Sequence, residues 1–503
     1  MADQAPLLIL LFPLFGAVTI SLIGPWKKQL CLPVAIVATI GSLAAALTAF
    51  CDVLQVGQVQ YFLGGWESPR GIGIELRIDH VNGLVAIVVT AVALITAIYS
   101  ARRVDDEFEG KVPLFYALFL LSATGLIGMT LAGDAFNLYV LLEVASLTGY
   151  ALVAMGKERR AAMSAFNYIV MGTIGASFYL LGVGYLYLKT GSLNMGDIHQ
   201  IIVDQDLRGS KIIQVAFILI LIGVWIKMAF FPLHAWLPNV YSFAPSTSAC
   251  LMAPLVTKVA VYVMIRMMLT VFGPETVFVA LPWSEIVIWL AVLDIVVASF
   301  MALAQKNLRR MLSYLIIAEV GYMVGGAWLA NHYGMVGAIY HIISDSFMTL
   351  CMFLAAGILF TKSDALTGFK GMFVRKPATM MAFTLGAFSL IGIPPTCGFF
   401  SKFYLIRGGI ESGHWEFVIA LLFSSLINVV LFFRIIEFAY FHIDEKGSKP
   451  DQTEAPAAAT PITQVISLWT AAIAVLLIGL FNQPIVGWIQ TTLRPLTIVG
   501  GQG

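Results

Sequence analysis

Runs of about twenty mostly apolar residues recur along this chain from residue 6 to residue 482, separated by short polar segments. That is the length an α-helix needs to cross the hydrocarbon of a bilayer. Such windows fall at 6–24, 31–50, 81–100, 113–132, 135–155, 165–188, 213–235, 245–272, 284–304, 311–330, 334–360, 379–406, 415–441 and 463–482. The pattern predicts an all-α integral membrane protein of about fourteen transmembrane helices. The first window has the apolar character of a signal-peptide core. It lacks a basic segment before it and is followed by further spans, so it reads as a retained first helix.

The polar residues between the windows carry a second pattern. Lys27 and Lys28; Arg102, Arg103 and Lys111; Lys157, Arg159 and Arg160; Lys306, Arg309 and Arg310; Lys362, Lys370, Arg375 and Lys376; and Lys446 and Lys449 occupy alternate loops. The positive-inside rule then places these loops in the cytoplasm and both chain termini outside, in a multi-pass protein of a bacterial inner membrane. The longer segments 51–80 and 189–212 fall on the outer side and read as loops. The stretch 446–462, rich in Pro, Ala and charge, reads as a cytoplasmic linker before the last helix at 463–482.

Composition sharpens the class. Of 503 residues, 59% are hydrophobic and 11% charged, against roughly 25% charged in a soluble protein. Residues 1–503 therefore read as a single membrane domain with lipid as its solvent. A net charge of +1 gives no argument for nucleic acid as a partner. The five cysteines are scattered, with no CxxC pair to hold zinc or an iron–sulfur cluster. No GxxxxGK[ST] phosphate loop is present. Neither a metal nor a cofactor is expected.

The ionisable residues inside the windows are the candidate chemistry, because such a group at bilayer depth costs at least about 2.5–3.5 kcal/mol. Glu143 lies nine residues into its window, out of snorkelling reach of either end, and is expected to face the protein interior. Lys227 is followed by Pro232, His234 and Pro238, which should interrupt the helix and free backbone carbonyls. Lys258 lies deep in the eighth window and Glu319 in the tenth. His341 and Asp345 stand four apart on one face of the eleventh, and Lys402 follows the break at Pro394 and Pro395. Asp294, in the ninth window, reads as structural.

The two broken helices, seven and twelve, are five spans apart, so two five-helix units would be oppositely oriented. Paired breaks of this kind point to a transport site at the bilayer midplane in inverted repeats. The repeats would be helices 4–8 (113–272) and 9–13 (284–441). Alternating acids and lysines suit proton transfer, because moving or neutralising a carboxylate beside a lysine can release the lysine's proton.

The segment KMAFFPLHAWLPNVYSFAPSTSACLMAPLVTKVAVYVMIR resembles the signature of the antiporter-like proton-translocating family shared by Mrp cation/proton antiporters, respiratory complex I and membrane-bound hydrogenases. LYVLLEVASLTGYAL, NLRRMLSYLIIAEVGYMVGG and GIPPTCGFFSKFYLI extend the resemblance from about helix three to helix thirteen. It implies a fourteen-helix fold with two inverted repeats. Glu143 and Lys227 are similar to the family's first acid–lysine pair, Lys258 to its central lysine, Lys402 to its helix-twelve residue and His234 to its broken-helix histidine. Where many relatives read HxxNHAxxK, this chain has His341, Ser344, Asp345 and Thr349, so weight moves from a helix-eleven lysine to His341 and Asp345. The aspartate resembles the D-type chains of Mrp antiporters.

The resemblance therefore implies the D-type member of a multisubunit Na+/proton antiporter, with protons and Na+ as its ions and other membrane subunits as partners. Glu143, Lys227, Lys258 and Lys402 would transfer protons, and His234, Glu319, His341 and Asp345 would form a secondary relay. The alternatives are the proton-pumping subunit of an NADH–quinone oxidoreductase or membrane-bound hydrogenase, and a structural membrane subunit that conducts nothing.

Overall fold

The computed structural model describes residues 4–66, 74–281, 283–360, 365–441 and 460–493. Thirteen helices among them are long and apolar enough to span a membrane. They are α1 (Ala5–Ile23), α2 (Cys31–Val56), α3 (His80–Ser100), α4 (Val112–Leu131), α5 (Ala135–Ala154), α6 (Arg159–Thr190), α7 (Lys211–Met228), α8 (Ser246–Arg266), α9 (Ser284–Leu303), α10 (Leu308–Trp328), α11 (His332–Leu359), α13 (Trp415–Phe441) and α14 (Ile462–Leu480). The remaining predicted span, α12, is built from two half-helices, Pro377–Ile391 and Cys397–Glu411. A final helix, α15 (Asn482–Leu493), follows. Of the expected linker, residues 446–459 lie outside the described residues.

Both breaks occur where proline removes an amide donor and glycine or a left-handed residue turns the chain. Helix α7 ends at Ala229, with φ 59°, and the chain re-enters a short helix at Leu237–Phe243. The first half of α12 ends at Gly392, whose φ of 96° suits a residue without a Cβ, just before Pro394 and Pro395. The freed carbonyls are satisfied by side chains. Trp236 Nε1 donates to Ile226 O at 3.1 Å, and Asn428 Nδ2 donates to Leu390 O at 3.0 Å. An aromatic column of Tyr150, Tyr168 and Trp236 braces the first break.

Burial is graded across the bundle. Helices α10 and α11 are wholly enclosed and α8 nearly so, whereas α1, α2, α6 and α14 keep most of their surface outward. The apolar outer faces suit contact with lipid, and the enclosed helices carry the polar residues, which need protein partners.

The two long segments expected to be loops contain structure. Strands β1 (Val59–Phe62) and β2 (Glu75–Ile78) form an antiparallel hairpin, and Met195–Asp204 is a helix capped by the Asn194 side chain. The sequence there is polar enough to suggest a loop, but backbone pairing and the Asn194 cap satisfy its amides. The all-α membrane architecture holds, and this small hairpin is an addition to it. Leu76 bridges to Ala132, and the Asn194 amide donates to Glu75, so these pieces form one layer over a single end of the bundle. Arg266, at the end of α8, joins that layer through Asp79 at 2.7 Å. Burial opposes ionisation of Asp79, but Arg266 and the amide at Asn82 outweigh it and hold the carboxyl below its usual range.

Candidate functional site

The first acid–lysine pair spans α5 and the end of α7. Lys227 Nζ lies 3.5 Å from Glu143 Oε1 and donates to Ser146 Oγ at 2.7 Å and to Tyr150 OH at 3.4 Å. Ser146 gives its own proton to Leu142 O, one turn back in α5, which leaves its lone pairs facing the amine. Lys227 is buried, but Glu143 is not fully enclosed: its side chain is 24% exposed. It lies on a stripe of α5 with Phe136, Val140 and Leu147, all outward-facing. The expectation that Glu143 faces the interior is therefore met only by its carboxylate tip, which reaches inward to Lys227.

The second group is larger and fully enclosed. Lys258 Nζ in α8 lies 2.8 Å from Asp345 Oδ2 in α11, with side-chain exposures of 1% and 0%. Thr349 donates to Asp345 Oδ1 at 2.7 Å and accepts from Lys258 at 3.4 Å, which closes a three-membered network. Glu319 from α10, His341 and Asp345 bring one oxygen or nitrogen each to within 4.8 Å of one another. Asp345 is already committed to Lys258, so the cluster is organised as an ion pair flanked by an acid and an imidazole.

From His341 the group continues into the second half of α12. His341 Nδ1 and Ser401 Oγ are 2.8 Å apart, and the next residue is Lys402. The Lys402 amine donates to Leu390 O at 2.8 Å, Ile391 O at 3.3 Å and Ser425 Oγ at 3.0 Å. It thus sits at the carbonyl end of the first half-helix, where the helix dipole favours a cation. Tyr322 lies beneath both groups, 5.4 Å from the Lys402 amine and 5.5 Å from the His341 ring. Beside Glu319, a cavity of about 10 Å³ is bounded by Thr349 and Leu390. That is the lower limit for one water molecule.

Residues 132–428 match the family described as "NADH:quinone oxidoreductase/Mrp antiporter, TM". The chain belongs to this antiporter family. It is 38% identical over 495 residues, 97% of each chain, to the NADH-quinone oxidoreductase subunit N of Desulforudis audaxviator (strain MP104C). It is 32% identical over 422 residues, 84% of this chain and 82% of the other, to the D component of the Na(+)/H(+) antiporter of Bacillus subtilis (strain 168). Among solved structures, a chain of the membrane-bound sulfane sulfur reductase, an archaeal respiratory membrane complex, superposes with a TM-score of 0.87 at 28% identity, covering 98% of both chains.

Within this antiporter-family chain, five of the eight candidate residues gather into one group: Lys258, Glu319, His341, Asp345 and Lys402. Glu143 and Lys227 form a separate pair. His234 lies on the turn of the broken helix α7, stacked on Phe231 at 5.4 Å, and its buried Nδ1 has no hydrogen-bond partner among the described residues.

Sequence reasoning named Thr349 only as a departure from an expected lysine and did not find the other hydroxyls. Ser146, Tyr150, Thr349, Ser401 and Ser425 each touch a charged or ionisable group, yet serine and threonine in membrane helices carry no distinguishing pattern. Only the Asp345–Thr349 spacing of four offered a signal. Thr349 stands where the resemblance implied a lysine. Its hydroxyl meets the Lys258 amine, so a second amine there would face an existing cation. Asp294 is fully buried, lies against Gly321 of α10 and faces the backbone at Phe231, beside the break after α7.

Proposed function

We propose that this chain moves protons across a membrane as one subunit of a larger complex, using the enclosed group from Lys258 to Lys402 as the central relay. The observation that carries the reading is this set of buried ionisable side chains, four on the most enclosed helices and Lys402 beside the break of α12. Several kcal/mol are needed to keep such groups there, and a purely structural core could replace them with apolar residues at little cost.

The Glu143–Lys227 pair acts as the switch of the first half-channel, 113–272, and Lys402 serves the second, 284–441. When the Glu143 charge is drawn away or neutralised, Lys227 loses its counter-ion and releases a proton. Lys258 and Asp345 exchange the proton at 2.8 Å. His341 and Ser401 carry it to Lys402, and water completes the gaps. His234, on the broken helix, serves the first half-channel.

The outward position of Glu143 supports assembly. A carboxylate on a stripe facing hydrocarbon would be costly, so a neighbouring membrane subunit covers this part of α5. The cation-rich loops face the cytoplasm of a bacterial cell and both termini face outside.

Asp345, paired with Lys258, favours the D-type chain of an Mrp Na+/proton antiporter. The full-length similarity to an NADH-quinone oxidoreductase subunit N favours a redox-driven complex, with the redox centres in partner chains. Mass spectrometry of the complex purified with this chain separates the two. Small membrane subunits alone support the antiporter, while iron–sulfur or flavin proteins support the pump. Proton flux in vesicles tests the shared claim: wild-type flux in an assembled Glu143→Gln complex would sink the switch.

A further inference from the structure

The cation-rich face of the bundle holds a cavity of about 910 Å³, lined by helix ends and the segments that join them, which share no residue with the relay. Seven of its lining residues are Lys or Arg and three are Asp or Glu. The positive-inside rule accounts for cations on this face. It does not account for their convergence on one concavity from the segments after α3, α5, α9 and α11.

Of the carboxylates, Glu107 is fully engaged. Its Oε1 accepts from Arg103 Nε at 3.0 Å, and its Oε2 accepts from the Thr247 amide at 3.0 Å and hydroxyl at 2.8 Å, capping α8. Asp106 and Glu158 are exposed.

Several of the cations are held in place by uncharged groups. Arg160 lies over the Phe243 ring at 5.6 Å, and the Lys376 amine donates to Ile358 O, near the end of α11, at 2.7 Å. Arg310 Nε is buried without an acceptor among the described residues. Neither the ring nor the carbonyl neutralises the charge it orients. Burial and then the nearby Arg103 pull the Lys376 amine below the ordinary lysine range, as expected in an electropositive basin.

We propose that this basin binds a phosphate-bearing anion, and that its occupant is the headgroup of an anionic phospholipid. Guanidinium groups match phosphate oxygens in pairs. Basic pockets between membrane helices on the cytoplasmic side take diphosphate headgroups. Phe243, Pro245 and Ile358 add apolar wall beside the cations, which suits the glycerol and first methylenes of a lipid better than a free inorganic ion.

The test uses the purified intact complex in mild detergent and reads its melting temperature against added diphosphatidylglycerol, phosphatidylcholine or inorganic phosphate. Diphosphatidylglycerol should raise the melting point saturably and phosphatidylcholine should not. The Arg160→Gln/Lys376→Gln variant should weaken the apparent affinity by about tenfold or more. Arg160→Lys/Lys376→Arg, which keeps the charges, should bind nearly as wild type and guards against a folding artefact. Lys27→Gln/Lys28→Gln, on the same face outside the basin, should change nothing.

If inorganic phosphate competes and reproduces the shift, the phosphate chemistry stands and the lipid assignment is overturned. If the basin variant binds diphosphatidylglycerol as wild type does, or if the Lys27/Lys28 variant loses as much, the site itself is overturned. None of these readouts depends on proton transport.

Discussion

The ion pairs Glu143–Lys227 and Lys258–Asp345 use the same two chemistries in opposite surroundings. The first sits at the edge of the bundle. Its lysine is shared with two hydroxyls and lies 3.5 Å from a carboxylate that is still 24% exposed. The second is sealed among α8, α10 and α11, with a 2.8 Å contact and essentially no exposure. A loose pair at an edge can respond to a neighbour's charge. A tight pair in the centre is insulated from everything except its own chain of contacts. On the proposed reading the first pair senses and the second conducts, and substitutions can break that contrast.

The largest effect is expected at Asp345. Asp345→Asn leaves the Lys258 amine buried without a counter-charge, so the complex should lose about 3–5 kcal/mol of stability. Proton flux should fall by about a hundredfold or more. Thermal melting and vesicle flux would check both. Glu143→Gln should separate these two readouts. Flux falls, but Lys227 keeps Ser146 and Tyr150, and stability changes by about 1 kcal/mol or less, as for a partly exposed pair. An equal loss of stability at both sites would erase the distinction between edge and centre.

Ser146→Ala removes one acceptor from Lys227 and should cost about 1 kcal/mol, with a partial loss of flux. The smallest effect is expected at Asp294. Asp294→Asn should leave flux nearly unchanged and melting equal or slightly higher, because asparagine keeps the shape of the side chain and removes a carboxyl whose burial is costly. A large flux defect there would place α9 in the path.

Much of this was legible in the sequence because the bilayer imposes long apolar runs. The spans of α3, α4, α5, α9 and α13 follow within a few residues from their length alone. The breaks were legible because proline cannot donate to a helix. What the sequence could not convey was direction around a helix. Glu143 sits on an outward stripe although its window is apolar on all sides, so no periodic polar face marked it. The convergence of Glu319 with Asp345, and of His341 with Ser401, depends on which helices pack together, and that is long-range information. The hydroxyls around the lysines were invisible for the same reason. The β1–β2 hairpin was missed because each short strand's partner lies well beyond tight-turn distance in the sequence.

The most direct test of a conducting centre is the double variant Lys258→Met/Asp345→Asn in the intact complex, with melting and proton flux measured together. Removing both charges leaves neither one unpaired, so stability should return to near wild type. Flux should stay abolished in this restored protein. Flux that returns along with stability would mean that the pair only holds α8 to α11, and the proposed relay would be wrong.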